Sequence, residues 1–361
     1  MAVLTSGTAL SDTLKIAVTL PLSGPQLVIG REIKTAVELA LEDAHIRTGA
    51  IAAVSVTWVD DQCSSAGGLA AAQAVSTAPE PTRATIVIGH ACPSAAQAAG
   101  ALYDKAQIVN MTVGSLPVRE PQLQRFGPRH FRLPADGQQG VVIGAKLAAA
   151  GPDARVAIVR DRTRFAQTAM APVIAALRAQ GRAPVLIETF AGGEKDFAGL
   201  AQRLKAAAVT HVALAAFPSE AALLLADVRK ANADIAVYAT DQLAASEFAR
   251  IAGRAADGLQ VAMVPDATAF PRARHLIDVM AAKGLAPSRA ALASYAAIEI
   301  ILATTTQTSA DPERVATALQ SATFDTILGP VQFDGKGAAN LPSHVFYMWT
   351  GGTLIAVKKS N

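Results

Sequence analysis

Short apolar runs alternate along this chain with segments of helical spacing, and that alternation narrows the fold more than any other feature. "KIAVTL" (Lys15 to Leu20), "VSVTWV" (from Val54), "TIVIG" (from Thr85) and "QIVNMT" (from Gln107) have strand length and little polarity. After the first, Ile33, Ala36, Val37, Ala40, Leu41 and Ala44 recur on one helical face up to Gly49, while Arg31, Glu32, Lys34, Glu38 and Glu42 fall on the others. A second series begins near Gln138 with a helix. "RVAIVR", "APVLIETF", "HVALAA" and "IAVYAT" follow, separated by helices from about Phe165, Asp196 and Ser219. Strands this apolar are buried on both faces, which predicts parallel sheets covered by helices on each side. The fold class is therefore α/β, with two doubly wound units in tandem.

The tail has a different pattern. Helices from about Pro271 to Gln320 precede "TILGPVQFDGKG" and "HVFYMWTGGTLIAV", which read as strands joined by Gly-containing turns. No low-complexity linker separates the halves, and "HFRLPADG" (His130 to Gly137) is the best connection between them. A length of 361 residues fits two domains better than one core.

Hydrophobic residues make up 51% and charged ones 17%, far from a disordered composition. The net charge of +3 is spread without blocks, so no nucleic-acid partner is expected. The interval Ala84 to Tyr103 lacks charges, yet His90, Pro93, Ser94 and Gln97 interrupt it, and it reads as buried strand plus helix rather than a membrane span. "MAVLTSGTALSDT" has neither a basic leader nor a long apolar stretch, so the chain is either cytosolic or stripped of its signal.

Enzyme signatures are missing from the sequence. The six histidines show no pair at helical ligand spacing, there is no C-x-x-C, and no Walker A loop, G-x-S-x-G or G-x-G-x-x-G turn follows a strand. No metal or cofactor is expected. In doubly wound sheets ligands gather at the carboxyl ends of strands, here after Leu20, Gly89, Thr112, Arg160, Ala215 and Thr240. Two facing sets of such loops make a cleft.

"IVIGHACPSAAQAAG" (Ile86 to Gly100) leaves three readings of Cys92 open. A thiolate at a helix N-terminus is activated, but His90 is two residues away on an extended run, with no third group evident beside it. Metal binding with His90 lacks further ligands. A clasp with Cys63 is allowed because strands of one parallel sheet bring both residues to the same edge, closing a loop of about 30 residues worth roughly 3–4 kcal/mol in an oxidising compartment.

Taken in order, "KIAVTLPLSGPQLVIGREIKTAVELALED", "DDQCSSAGG", "IVIGHACPSAAQAA", "AGGEKDFAGLAQRLK", "DGLQVAM", "SYAAIEIILA" and "ILGPVQFDGKG" resemble the substrate-binding proteins of branched-chain amino acid ABC transporters, the leucine/isoleucine/valine type. The resemblance runs from about Leu14 to Val357. It implies a type I periplasmic binding protein fold with three hinge crossovers near Pro134, Met263 and Gly329. Lobe 1 would hold 14–134 and 264–328, lobe 2 would hold 135–263 and 329–361, and the ligand would bind in the cleft between them. It further implies a Cys63–Cys92 disulfide, a periplasmic location after signal removal, a monomer, a membrane permease as partner and no catalysis.

The family's ligand contacts carry over unevenly. The serine after the second cysteine, which grips the ligand carboxylate, is Pro93 here, between Cys92 and Ser94. The threonine of the next loop falls on Leu116, with Gly114 and Ser115 as its small neighbours. Two family tyrosines are matched by Phe165 and Phe217, the acidic partner of the ligand ammonium by Asp241, and an aromatic residue before the first helix's glycine by Ile29. Asp241 argues for an amino acid ligand. The apolar replacements argue for an aromatic or aliphatic carboxylate, with Arg162 or Arg164 supplying charge. A cytosolic Cys-dependent enzyme is the reading from another class.

Overall fold

A computed structural model describes residues 13–48, 54–80, 82–114, 126–133, 139–231, 234–305 and 311–357. The chain divides into two compact units, one of residues 1–136 and 266–342, the other of residues 137–265 and 343–361.

Unit 1 opens with β1 (Leu14–Leu20), α1 (Leu27–Thr48), β2 (Val54–Asp60), α2 (Ser65–Ser76), β3 (Ile86–Ile88), α3 (Pro93–Lys105), β4 (Val109–Thr112) and β5 (His130–Arg132). The strands form one parallel sheet in the order β2-β1-β3-β4-β5. Central β1 is apolar on both faces because both are covered: Leu14, Ile16, Val18 and Leu20 enter the larger core, while Ala17 enters the smaller. Edge strand β2 instead alternates, with Val54, Val56 and Trp58 packed on the core and Ser55 and Thr57 exposed. On the smaller core's side α2 and α3 lie so close that a Cβ on Gly68 would stand 2.4 Å from the Ala95 carbonyl oxygen.

Unit 2 follows with α4 (Gln139–Ala148), β6 (Val156–Asp161), α5 (Arg164–Arg178), β7 (Leu186–Phe190), α6 (Ala198–Ala206), β8 (His211–Ala215), α7 (Pro218–Lys230), β9 (Ala236–Thr240), α8 (Ser246–Ala252) and β10 (Gln260–Met263). The chain returns to unit 1 for α9 (Arg274–Ala282), α10 (Arg289–Thr305), α11 (Pro312–Ser321) and the antiparallel pair β11 (Phe324–Thr326) and β12 (Gly329–Val331). It ends in unit 2 with the hairpin β13 (Val345–Thr350) and β14 (Thr353–Ala356). The second sheet runs β14-β13-β10-β9-β8-β6-β7, parallel except where β13 meets β10 and β14. Val159, Leu214 and Val237 face the layer containing Phe248 and Trp349, and Ile158, Ala213 and Tyr238 face the other.

The third passage between the units lies at Pro342/Ser343, not near Gly329. Residues 329–342 stay with unit 1 because backbone pairing holds them there: β12 pairs with β11, Ala338 bridges Arg132 at the end of β5, and the Arg132 amide donates to the Gly337 carbonyl. The connection at Pro134 lies outside the described residues. The charge-free interval from Ala84 is strand β3 plus helix α3, and no helix among the described residues is long and apolar enough to cross a membrane.

Candidate functional site

In unit 1 the loops at the carboxyl ends of β1, β2 and β3 are knitted together by two successive aspartates. The Asp60 carboxylate accepts from the amides of Leu22 (2.8 Å) and Gln62 (2.9 Å) and from the Ser23 hydroxyl (2.6 Å), fixing the β1–α1 turn. Burial pushes this carboxyl up, but the hydrogen bonds outweigh it and its pKa lies below the ordinary range. Asp61 faces the opposite way. It is buried, accepts from the Cys63 amide at 2.9 Å, and contacts His90 Nδ1 at 2.7 Å.

Cys63 and Cys92 are joined as a disulfide with Cα atoms 5.2 Å apart. The clasp reading therefore holds, and a nucleophilic or metal-bound Cys92 does not. Cys92 also stands at the N-cap of α3, where no side chain caps the helix and Pro93 occupies the first turn. The Ala96 amide donates to the Cys92 carbonyl at 3.0 Å, which leaves the amides of Ser94 and Ala95 to meet an anion. The Ser94 hydroxyl is spent on the Cys63 carbonyl, 3.2 Å away. Gly114 lies against the same turn: its amide donates to the His90 carbonyl at 3.1 Å, and a Cβ there would stand 1.7 Å from the Ala91 oxygen. Ile29 is half-buried in the first turn of α1, packed on the core. Ser115 and Leu116 lie outside the described residues.

In unit 2 the three predicted residues follow three neighbouring strands, β6, β8 and β9. Phe165 is the second residue of α5, whose N-cap Thr163 accepts from the Ala166 amide and donates to Asp161. Phe217 is the N-cap of α7 ahead of Pro218, again without a side-chain cap. These rings are 43% and 48% exposed, so neither serves chiefly as core. Asp241 is exposed at the start of a 3-10 turn, and its amide donates to Gln139 Oε1 at 3.3 Å. Arg162 and Arg164 are exposed beside Phe165.

The expectation of no third group beside His90 is overturned. Its Nδ1 meets Asp61 and its Nε2 meets the Tyr103 hydroxyl at 3.1 Å, all three residues being buried. A second buried chain adjoins it: Asn110 donates to the Gly89 carbonyl at 2.8 Å, and His130 Nδ1 lies 2.9 Å from Asn110 Oδ1. Asn110 stands as a polar interruption within an apolar strand, which was the available signal for this network. The signal for Asp60 and Asp61 was two adjacent carboxylates at a strand end, where alternation sends side chains to opposite faces. Among the described residues no three His, Cys, Asp or Glu side chains gather as a metal-ion set.

Relatives of this chain carry related descriptions. "Leu/Ile/Val-binding protein homolog 1" of Brucella abortus is 29% identical over 351 residues, covering 96% of this chain and 92% of the relative. The "Leucine-, isoleucine-, valine-, threonine-, and alanine-binding protein" of Pseudomonas aeruginosa is 28% identical, covering 94% and 90%. Among solved structures, an ABC transporter substrate-binding protein from Desulfitobacterium hafniense in complex with Leu shares the fold, with a TM-score of 0.59, 19% identity, and 96% and 100% of the two chains covered. The family described as "Periplasmic binding protein" matches residues 13–352, nearly the whole described chain. On that match, this chain belongs to the periplasmic binding protein family.

Proposed function

We propose that this protein is the solute receptor of an ABC importer and binds an amino acid of the branched-chain type, with contacts from the strand-end loops of each unit. The observation that carries the reading is the uncapped start of α3, held by a disulfide at the end of β3. Free amides at a helix N-terminus suit a carboxylate. Asp241 is the carboxylate offered to the ligand ammonium, and Phe165, Phe217 and Ile29 are the apolar contacts. Gly114 borders the carboxylate side. Binding shifts the receptor to a form that the membrane permease recognises, and no bond is made or broken. The receptor works as a monomer in the periplasm, where the disulfide persists.

A second reading, an aromatic or aliphatic carboxylate, is favoured by the two exposed phenylalanines and by Pro93, with Arg162 or Arg164 as counter-charge. Thermal shift of ligand-stripped protein separates the two. L-leucine, L-isoleucine or L-valine at a hundred times its dissociation constant adds about 2.7 kcal/mol and raises the midpoint. A rise only with acids lacking an amine would replace the first reading by the second. Asp241→Asn is expected to weaken leucine about 10- to 100-fold, the worth of a charged hydrogen bond, and to leave an amine-free acid nearly unchanged. Equal losses for both ligands would remove Asp241 from the ammonium site.

A further inference from the structure

The buried chain Asp61–His90–Tyr103 touches no solvent and is not a ligand contact, yet every part of it leads to the turn at Cys92. Its members come from the end of β2, the end of β3 and the last turns of α3. Burial pushes the Tyr103 phenol well up, so it keeps its proton and donates it. The acceptor is His90 Nε2, which puts the ring's proton on Nδ1, facing Asp61 Oδ2 at 2.7 Å. Asp61 Oδ1 then takes the Cys63 amide, and the His90 carbonyl takes the Gly114 amide.

Geometry gives the chain a purpose that apolar packing could not serve. His90 precedes the helix cap by two residues, whereas Tyr103 lies three turns further along the same helix. The imidazole therefore spans from the strand end to the far part of α3 and fixes the direction in which the helix leaves the sheet. Side chains of equal volume would fill the space without fixing that direction.

We propose that Asp61, His90 and Tyr103 are positioning residues that aim the amides following Pro93, and that they set ligand affinity by doing so. The affinity part rests on the carboxylate reading of that turn, whereas the aiming part does not.

Hydrogen–deuterium exchange and calorimetric titration with L-leucine test the two parts separately. Tyr103→Phe removes one hydroxyl and keeps the ring. It is expected to speed exchange of the Ser94–Ala96 amides about tenfold or more, to raise the leucine Kd about tenfold, and to leave exchange in β6, β8 and β9 unchanged. Asp61→Ala should act likewise, and so should Asp61→Asn, whose oxygen still accepts from Cys63 but whose amide nitrogen then faces the proton on His90 Nδ1. Unchanged exchange at Ser94–Ala96 in folded Tyr103→Phe protein would overturn the proposal, as would wild-type exchange there in folded Asp61→Asn protein. If leucine fails to bind the wild-type protein, the carboxylate reading falls, and the exchange measurement still decides the aiming role.

Discussion

His130 shows how one buried residue shapes the behaviour of unit 1. Its imidazole meets Asn110 and packs on Phe126, with ring centroids 4.4 Å apart, and burial together with the Arg132 charge pushes its pKa down to about 3 from 6.5. The unfolded chain binds a proton near pH 6.5, whereas the folded one refuses it until about pH 3. Stability from this residue is therefore full above pH 6.5 and is lost progressively as pH falls toward 3, with a limiting slope of about 1.4 kcal/mol per pH unit. Urea unfolding at pH 7, 6, 5 and 4 should show that slope, and His130→Gln should flatten it; an identical pH dependence in the variant would refute the assignment. None of this was legible in the sequence, where His130 appears only inside a connecting segment. A histidine's partners depend on strand order: Asn110 reaches it because β4 and β5 pair, and Asp61 reaches His90 across the end of β1.

Elements were more legible than residues, for reasons of burial. Central strands such as β1 and β6 are apolar on both faces and stand out from their surroundings, and edge strands β2 and β7 alternate as exposed edges must. Glycine and proline marked most of the breaks. The segment after Gly329 was placed in the wrong unit because its membership depends on pairing with β11 and with the end of β5, and no local pattern records that. The site was legible as far as its positions: Cys63, Cys92, Pro93, Ser94 and Gly114 gather at one sheet edge, and Phe165, Phe217 and Asp241 at another. The disulfide belongs to this scale, since it ties the start of α2 to the start of α3. Its sequence separation is 29 residues, and the chain-entropy relation gives roughly 3–4 kcal/mol for a loop of that size. Reduction should lower unfolding stability by about that amount in denaturant titrations with and without reductant. A loss below about 1 kcal/mol would mean that the polar ties between Asp61, Cys63 and His90 hold the loops without it.

For the molecule as a whole, the decisive fact is that each hydrophobic core lies wholly within one unit. A cavity made in one core should therefore be felt there first. Phe248 is fully buried beside Trp349 in unit 2, and Phe248→Ala is expected to cost about 3–5 kcal/mol. Hydrogen exchange should rise in β8, β9 and β10 while β1, β3 and β4 keep their protection; equal loosening of both sheets would contradict separate cores. The order in which the chain supplies these cores has a further consequence. Unit 1 waits for α10, whose Tyr295 hydroxyl donates to Asp43 at 2.5 Å across 252 residues, and unit 2 waits for Trp349, whose indole donates to the Leu243 carbonyl at 2.9 Å. On the ribosome, then, unit 1 cannot be finished before α10 has been made, nor unit 2 before Trp349. A polypeptide with that property keeps its early segments unfinished, and so threadable, until those partners emerge, which suits a channel that passes only unfolded chains.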